Sequence, residues 1–233
     1  MRAQEFLAAM RQAGLEPDCD IVADGRLHRF RDWLDKPGTK NGWYVLFPDD
    51  PPAGAFGCWK RGIPERWSSV MAGVGGRRSR DYATDCRVSE LLAADQQRGR
   101  EMAERMWAMA SPANGRHGYL CAKRIGAHGT RYLCGAILVP VRDVAGRLHG
   151  LQRIYSGGHK RFTQNTSKRG HFFMIGEPRE GIIGIAEGFA TAATIYELTR
   201  LAVAVAFDAG DLQPVAEAIQ QAYPQHRILL CAD

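Results

Sequence analysis

Three apolar runs near the end of the sequence, each closing on an acidic residue, decide the fold: GIIGIAEG (181–188), AVAVAFDAG (202–210) and HRILLCAD (226–233). The segments between them, 189–200 and 211–225, space their apolar residues as helices do. Short strands that alternate with helices predict a β-α-β-α-β unit with a parallel sheet. Because crossovers between parallel strands are right-handed, all three strands should point the same way.

The carboxyl ends of these strands should therefore share one edge, which carries Glu187, Asp208 and Asp233. Open α/β sheets bind their ligands at this edge. Carboxylate oxygens are suitable ligands for hard divalent cations. The sequence thus predicts a site for Mg²⁺ or Mn²⁺ and a phosphate-bearing substrate, with these three acids as candidate metal ligands.

The charge distribution supports an acidic partner. The formal net charge is +6 and the sequence pI about 9.1, which favours nucleic acid over a neutral metabolite. Residues 142–171 contain seven lysines and arginines against one acid, whereas residues 180–233 contain seven acids against two arginines. A cationic segment followed by an anionic one suits a protein that handles phosphates, because the first attracts phosphate and the second concentrates metal ions.

The six cysteines are scattered without C-x-x-C or paired Cys/His spacing, so neither a zinc ribbon nor a disulfide framework is expected. No zinc is therefore expected as a cofactor. No apolar run reaches membrane-spanning length, and no signal peptide is recognisable. These features predict a cytoplasmic protein with reduced thiols and no membrane partner.

Four stretches are predicted along the chain. They are an N-terminal β-rich aromatic and basic module (1–80), a helical segment (81–130), a basic β subdomain (131–178) and the C-terminal α/β unit (179–233). The predicted fold class is thus α+β for the N-terminal and basic modules, followed by a Rossmann-like parallel sheet. His117 and His128 have no ligand partner at helical spacing and are interpreted as structural or exposed.

In the first module, Asp24-Gly25 predicts a hairpin between residues 20–23 and 26–30. A second hairpin is predicted around the proline-rich turn at 48–53, and GVGGRRSR (73–80) is interpreted as a flexible cationic linker. The many aromatic residues lie between arginines and lysines. Two interpretations stay open for them: most form the core of a small β module, while an exposed minority stacks bases of a nucleic-acid strand.

The basic subdomain contains a predicted hairpin, GAILVPVRD and LHGLQRIY, followed by two further strand segments, KRFTQ (160–164) and HFFMIG (171–176). The basic residues in or beside its loops are candidates for binding nucleic acid or nucleotide. These candidates are Arg153, Lys160, Arg161, Lys168 and Arg169.

The order of these motifs resembles the TOPRIM domain of DnaG-type primases and of type IA and II topoisomerases. In that family a Glu before Gly closes the first strand, which Glu187-Gly188 matches, and an Asp-x-Asp pair closes the third, whose first member Asp233 matches. GAILVPVRDVAGRLHGLQRIY resembles the basic strand-turn-strand that precedes TOPRIM in these enzymes. The series HKRF, KRGHFFMIG, IAEGFATA, VAVAFDAGDL and ILLCAD is most similar to primases of phages, plasmids and integrated elements, and the resemblance covers nearly the whole chain.

The resemblance implies a metal-dependent DNA primase that makes short RNA primers on single-stranded DNA from ribonucleoside triphosphates. A replicative helicase is a further candidate partner. Glu187 and Asp233 would be the catalytic residues, Glu187 as metal ligand or proton acceptor and Asp233 as metal ligand. The sequence stops at Asp233, so the second Asp of the pair is expected to be missing and the metal site incomplete. Asp208 matches no family position, and its candidacy depends on its place at a strand end, where a turn-forming role is the alternative.

Two other functions stay open. One is a TOPRIM nuclease, in which the same acids cleave phosphodiesters. The other is a non-catalytic module that binds single-stranded DNA or loads a helicase.

Overall fold

The computed structural model describes residues 2–61, 63–68, 77–179 and 181–231. The chain divides into two compact units, Met1–Ala94 and Asp95–Asp233. The four predicted stretches are a finer division that remains a prediction. Within the described residues, no helix combines the length and apolar character that crossing a membrane requires.

The first unit is built on an antiparallel sheet in the order β1-β2-β3-β4. Its elements are α1 (Arg2–Gln12), β1 (His28–Phe30), β2 (Gly42–Leu46), β3 (Ala53–Cys58), β4 (Ile63–Ser68) and the first part of α2 (Arg77–Met109). Every residue of β2 and β3 is buried, because α1 packs on one face of the sheet while Val88 of α2 joins the cluster on the other.

Most aromatic residues of this unit form its core. Tyr44, Phe56 and Phe6 are buried together, with ring centroids 5.4–6.0 Å apart. Among the described aromatic side chains of this unit, Trp33 and Trp59 are exposed, at 63% and 40% of their surface. The core interpretation is therefore confirmed for most of these residues.

Two local predictions for this unit need correction. The hairpin at Asp24-Gly25 is wrong, because residues 20–23 form no strand. The turn is instead held by the Arg26 amide, which donates to Asp24 Oδ1, and by the Gly25 amide, which donates to the Leu46 carbonyl. The predicted linker 73–80 lies partly outside the described residues, and its described part from Arg77 onward is helical. The second hairpin is confirmed as β2 and β3.

The second unit contains a five-stranded antiparallel sheet in the order β5-β6-β7-β8-β9. Its elements are the end of α2, β5 (Ser111–Pro112), α3 (Gly118–Lys123), β6 (Arg131–Leu133), β7 (Ala136–Arg142), β8 (Leu148–Tyr155) and β9 (Lys160–Phe162). The predicted hairpin is β7 and β8. One face packs on Ala103 and Ala110 at the end of α2, and the other on a larger core that includes Leu120 of α3 and Phe189 of the C-terminal part.

The last part of the chain forms a four-stranded sheet in the order β10-β12-β11-β13. Its elements are β10 (Phe173–Ile175), β11 (Ile182–Ala186), α4 (Phe189–Thr199), β12 (Val203–Val205), a 3₁₀ turn (Ala209–Asp211), α5 (Leu212–Ala222) and β13 (Arg227–Cys231). β11, β12 and β13 are parallel, as the sequence predicts, with α4 and α5 on opposite faces.

β10 joins this sheet antiparallel to β12. The sequence prediction placed it in the basic subdomain, because it follows basic residues and no helix separates it from them. The chain therefore has a mixed α/β fold with several sheets.

Candidate active site at the carboxyl edge of the parallel strands

The carboxyl ends of the three parallel strands meet at one edge. Ala186, the last residue of β11, lies opposite Val205 of β12 and opposite Cys231 of β13. Glu187 directly follows Ala186, so its carboxylate stands at this edge. Asp233 lies outside the described residues, two positions beyond the end of β13.

Glu187 is exposed, so its carboxylate is accessible to a ligand. The next residue, Gly188, caps the amino end of α4, and its carbonyl accepts from the Ala192 amide at 3.0 Å. A Cβ placed on Gly188 would lie 3.9 Å from Lys160 Nζ. The Lys160 ammonium therefore stands directly beside the turn that carries Glu187.

Asp208 follows β12 after a sharp change of backbone direction. Phe207 adopts a φ of 74°, a left-handed conformation that bulky residues rarely take. Strained backbone of this kind concentrates at functional sites, where the surrounding structure holds it. Here it turns the chain so that Asp208 begins a 3₁₀ turn, and its carbonyl accepts from the Asp211 amide at 3.1 Å.

The Asp208 carboxylate is paired with Lys168, whose ammonium also lies 3.9 Å from Asp211 Oδ2. Asp211 is only 7% exposed. Burial raises the pKa of Asp211, and the charge of Asp208 raises it further, whereas Lys168 and Arg169 act in the opposite direction. The turn-forming interpretation of Asp208 fits this arrangement, while its predicted role as a metal ligand remains a prediction.

The segment that carries Lys168 is fixed by side-chain hydrogen bonds. The Asn165 amide donates to Asp95 Oδ1 at 2.9 Å, which ties the segment to α2. Thr163 Oγ1 accepts from the Leu151 amide at 3.0 Å. The Lys168 ammonium lies 5.2 Å from the centre of the Phe162 ring. Lys168 thus reaches the edge from a constrained backbone.

The strand register divides three of the five predicted basic residues, Lys160, Arg153 and Arg161, between two faces. Lys160 lies opposite Ile154, whose side chain belongs to the core shared with the C-terminal sheet. Arg161 lies opposite Arg153, and Arg153 lies opposite Leu138, which packs against the end of α2. Lys160 therefore approaches the acidic edge, where Lys168 lies through its pairing with Asp208, whereas Arg153 and Arg161 occupy the other face of the five-stranded sheet.

Arg153 and Arg161 have local partners of their own. The Arg153 guanidinium lies 5.2 Å from the centre of the Tyr155 ring, and its buried Nε has no hydrogen-bond partner among the described residues. Arg161 Nε donates to His159 Nε2 at 2.7 Å. Arg169 is exposed and close enough to influence Asp211.

Sequence reasoning missed the part that Asp211 and Phe207 play at this edge. The sequence alone favours a turn-forming role for Asp211, as for Asp208, and nothing in the sequence marks the left-handed backbone of Phe207. The only available signal was the repeated acid in DAGD (208–211), downstream of a lysine-rich segment. Within the described residues, no group of three or more His, Cys, Asp or Glu side chains could hold a metal ion.

The curated proteins that this chain resembles include two relatives called DNA primase TraC, both from Escherichia coli. One is 30% identical over 244 residues, which cover 98% of this chain and 23% of the relative. The other is 29% identical over 254 residues, which cover 99% of this chain and 17% of the relative. The resemblance to DNA primases is confirmed. The chain spans about a fifth of the length of these relatives, and no family model matches it.

Solved structures are more distant. The primase fragment of the bacteriophage T7 primase-helicase protein is 17% identical, with a TM-score of 0.39, covering 86% of this chain and 77% of that one. The zinc-binding and RNA polymerase domains of the Aquifex aeolicus primase are 10% identical, with a TM-score of 0.37, covering 100% and 71%.

Proposed function

We propose that this chain is part of a DNA primase that synthesises short RNA primers on single-stranded DNA during replication of a mobile element. Ribonucleoside triphosphates would be its substrates and a replicative helicase a partner. The four-stranded C-terminal sheet would be its TOPRIM domain. One observation carries the proposal: the register that places Ala186 opposite both Val205 and Cys231, so that Glu187 and the end of β13 share an edge.

The donors at this edge fit Mg²⁺ or Mn²⁺. Mg²⁺ is usually held by one or two carboxylates together with waters and substrate phosphates. Glu187 and Asp233 would supply those carboxylates, and the exposure of Glu187 supports its part. Asp208 would have to exchange the Lys168 ammonium for the ion. When bound, the ion would neutralise triphosphate charge and stabilise the attacking and leaving oxygens.

The residues of the chain itself would position the substrates. Lys160, beside Gly188, would hold a phosphate of the incoming nucleotide next to Glu187. Glu187 would act as metal ligand or accept the proton of the primer 3′-hydroxyl. Lys168 and Arg169 would add positive charge at the same edge, where phosphoryl transfer depends mainly on positioning and charge neutralisation.

Arg153 and Arg161 would bind the template. They lie on the face opposite to Lys160. A single strand running along the β9 edge of the sheet would contact the exposed Arg161 and the half-buried Arg153 through its phosphates, because such contacts are largely electrostatic and independent of sequence.

Primer synthesis by the full-length protein tests the proposal. Labelled ribonucleotides would be supplied with single-stranded DNA and Mg²⁺ or Mn²⁺. Loss of a metal ligand or proton acceptor typically costs about 10²–10⁴-fold in rate, so Glu187→Gln should lose at least about a hundredfold. The control is Glu217→Gln, which changes an exposed acid on α5 that accepts a hydrogen bond from the Gln213 side chain. This substitution should leave primer synthesis unchanged. Equal product from Glu187→Gln and the unchanged protein would exclude Glu187 from the chemistry.

The same assay separates the two other functions. Strand scission without nucleotide incorporation would identify a nuclease. DNA binding that persists in EDTA, with neither incorporation nor scission, would identify a non-catalytic binding module.

A further inference from the structure

The turn after β12 carries two carboxylates that share one cation. Lys168 donates a hydrogen bond to Asp208 Oδ2, and its ammonium lies 3.9 Å from Asp211 Oδ2. Within the described part of the chain no other hydrogen bond reaches either carboxylate, although the Asp211 side chain is only 9% exposed. A buried carboxylate is unfavourable unless a cation or hydrogen bonds compensate it. Lys168 is therefore the counter-ion of both acids.

The surrounding side chains hold this arrangement in place. Phe207, whose left-handed backbone leads into the turn, is buried and packs its ring edge-on against Phe162, with ring centres 5.7 Å apart. The same Phe162 ring lies 5.2 Å from the Lys168 ammonium. A Cβ at Gly210 would come within 3.3 Å of Asp208 Oδ1, so a side chain there would crowd that carboxylate. One aromatic ring thus positions both the lysine and the turn that carries the acids.

The Lys168 side chain can leave Asp208 without any change in its backbone. The His171 amide donates to the Lys168 carbonyl at 2.8 Å, and His171 Nδ1 lies 2.8 Å from the Ser167 carbonyl, so the backbone is anchored. The paired side chains themselves are 34% and 41% exposed. Because solvent screens an exposed ion pair, this pair contributes little to stability. Rotation within the lysine side chain is therefore enough to give its ammonium a new partner.

The cluster lies next to the proposed catalytic edge. The Ala206 amide donates to the Ala186 carbonyl at 2.9 Å, so the segments that leave β11 and β12 begin side by side. Glu187 and Asp208 are the first acids of these two segments. A nucleotide that binds at the edge therefore brings its phosphates towards Lys168.

A phosphate and a divalent ion together can replace the pairing that Lys168 provides. Hydrogen bonds between an ammonium and a phosphate are charge-assisted and strong, so a phosphate competes well with a screened carboxylate for the lysine. Departure of the lysine leaves Asp208 and Asp211 without compensation. Mg²⁺ and Mn²⁺ suit this vacancy in charge, because such ions are held by one or two carboxylates together with waters and substrate phosphates.

We propose that Lys168 is an internal counter-ion that occupies Asp208 and Asp211 until a nucleotide arrives with its divalent ion, when the lysine passes to a phosphate and the ion to the two carboxylates. Nucleotide and ion then bind cooperatively at this turn, because each removes a cost that the other would meet. The nucleotide as phosphate donor rests on the proposed function, whereas the competition between Lys168 and a divalent ion does not.

The competition is measured with Mn²⁺ alone, without catalysis. Mn²⁺ broadens the amide NMR signals of residues close to it, so the signals of residues 208–211 report on this turn. Lys168→Gln should raise the Mn²⁺ affinity there at least about fivefold, the lower end of usual coupling between ligands. Lys168→Arg, which keeps the charge, should change it less than about twofold. Asp208→Asn in the Lys168→Gln protein should abolish the gain. A purely structural lysine predicts the opposite result, since its loss would disorder the turn and weaken binding.

The exchange with phosphate is measured by adding a non-hydrolysable ribonucleoside triphosphate at known free Mn²⁺ concentration. The nucleotide should raise the Mn²⁺ affinity of the turn about fivefold in the unchanged protein and in Lys123→Gln, a control at the exposed end of α3, but not in Lys168→Gln. An unchanged or lower Mn²⁺ affinity in Lys168→Gln would overturn the proposal. A nucleotide effect of the same size in Lys168→Gln and in the unchanged protein would overturn it as well.

These results are independent of the test of the proposed function. Full primer synthesis by Glu187→Gln would count against the proposed role of Glu187, but it would leave the Mn²⁺ affinities at residues 208–211 as they are. Conversely, a Lys168→Gln protein that fails to gain Mn²⁺ affinity would remove the exchange and leave the role of Glu187 standing.

Discussion

Lys168 donates a hydrogen bond to the carboxylate of Asp208, which lies 40 residues further along the chain. The same ammonium is 3.9 Å from Asp211 Oδ2, so one lysine compensates two neighbouring carboxylates. This contact ties the segment after β9 to the turn after β12. It brings cationic and acidic segments that are separate in the sequence to one edge of the C-terminal sheet.

The Lys168–Asp208 pair can be tested by a double-mutant cycle. Both side chains are more than a third exposed, so solvent screens the pair and its contribution should not exceed about 1 kcal/mol. Lys168→Gln should lower the free energy of unfolding at neutral pH, because it leaves Asp208 and Asp211 beside each other without compensation. Asp208→Asn in the same protein should recover part of that loss, as measured by urea denaturation. Strictly additive effects of the two changes would mean that the pair contributes nothing to stability.

Lys160 and Arg161 are adjacent in sequence but should affect different steps. Lys160→Gln should raise the KM for ribonucleotides about tenfold or more, because a hydrogen bond to a charged group contributes about 1.5–3 kcal/mol. Arg161→Gln should leave that KM nearly unchanged and instead weaken DNA binding, with a salt dependence reduced by about 0.7 for the lost phosphate contact. Steady-state kinetics and salt titrations of DNA binding measure the two effects. Equal changes in KM from both substitutions would contradict the division of these residues between two faces.

Gly99 should be required in the middle of α2. A Cβ at this position would lie 2.6 Å from the Asn165 carbonyl oxygen, which is closer than atoms can approach. Gly→Ala in a helix normally gains about 1 kcal/mol. Here we expect Gly99→Ala to lower the free energy of unfolding by about 1–3 kcal/mol, because the clash is with backbone that Asn165 anchors to Asp95. Thermal or urea unfolding measures it, and Ser89→Ala at an exposed position of α2 is the control that should be neutral or stabilising.

His171 should make the second unit less stable below neutral pH. Burial lowers the pKa of His171 below its ordinary value of 6.5. Between these two pKa values the unfolded chain is protonated and the native one is not, so unfolding takes up a proton. The free energy of unfolding should therefore fall as the pH decreases through 6.5, until the native pKa is reached.

The groups around His171 fix the pH range of this test. They are the His149 ring, stacked at 3.9 Å, the Ser167 carbonyl, which faces Nδ1 at 2.8 Å, Asp143 and Arg100. Burial of Asp143 opposes its ionisation, but hydrogen bonds from His149 and Arg147 hold the pKa of Asp143 well below its ordinary 3.8. The stability that Asp143 contributes is therefore fully present above pH 3.8 and is lost only in stronger acid. The free energy of unfolding can be measured by urea denaturation at several pH values between 7 and 5. Its dependence on pH should be weaker in His171→Phe and unchanged in His159→Gln, an exposed control.

The parallel strands and the position of Glu187 could be predicted because their signals are local. Each strand is a short apolar run, each helix has its own spacing, and the handedness of the crossovers then fixes the common edge. The hairpin predicted at Asp24-Gly25 does not form, although its turn signal is also local. A turn signal predicts a hairpin only if both flanking segments find strand partners, and residues 20–23 find none.

The sequence by itself determined that strands ending near Glu187 and Asp233 run in parallel, and that a cationic segment precedes them. Only the tertiary structure decided which cations reach that edge, because strand register sends Lys160 to one face and Arg161 to the other. It also decided that Lys168 pairs with Asp208. Such contacts join residues far apart in the chain, and no local periodicity records which of them will meet.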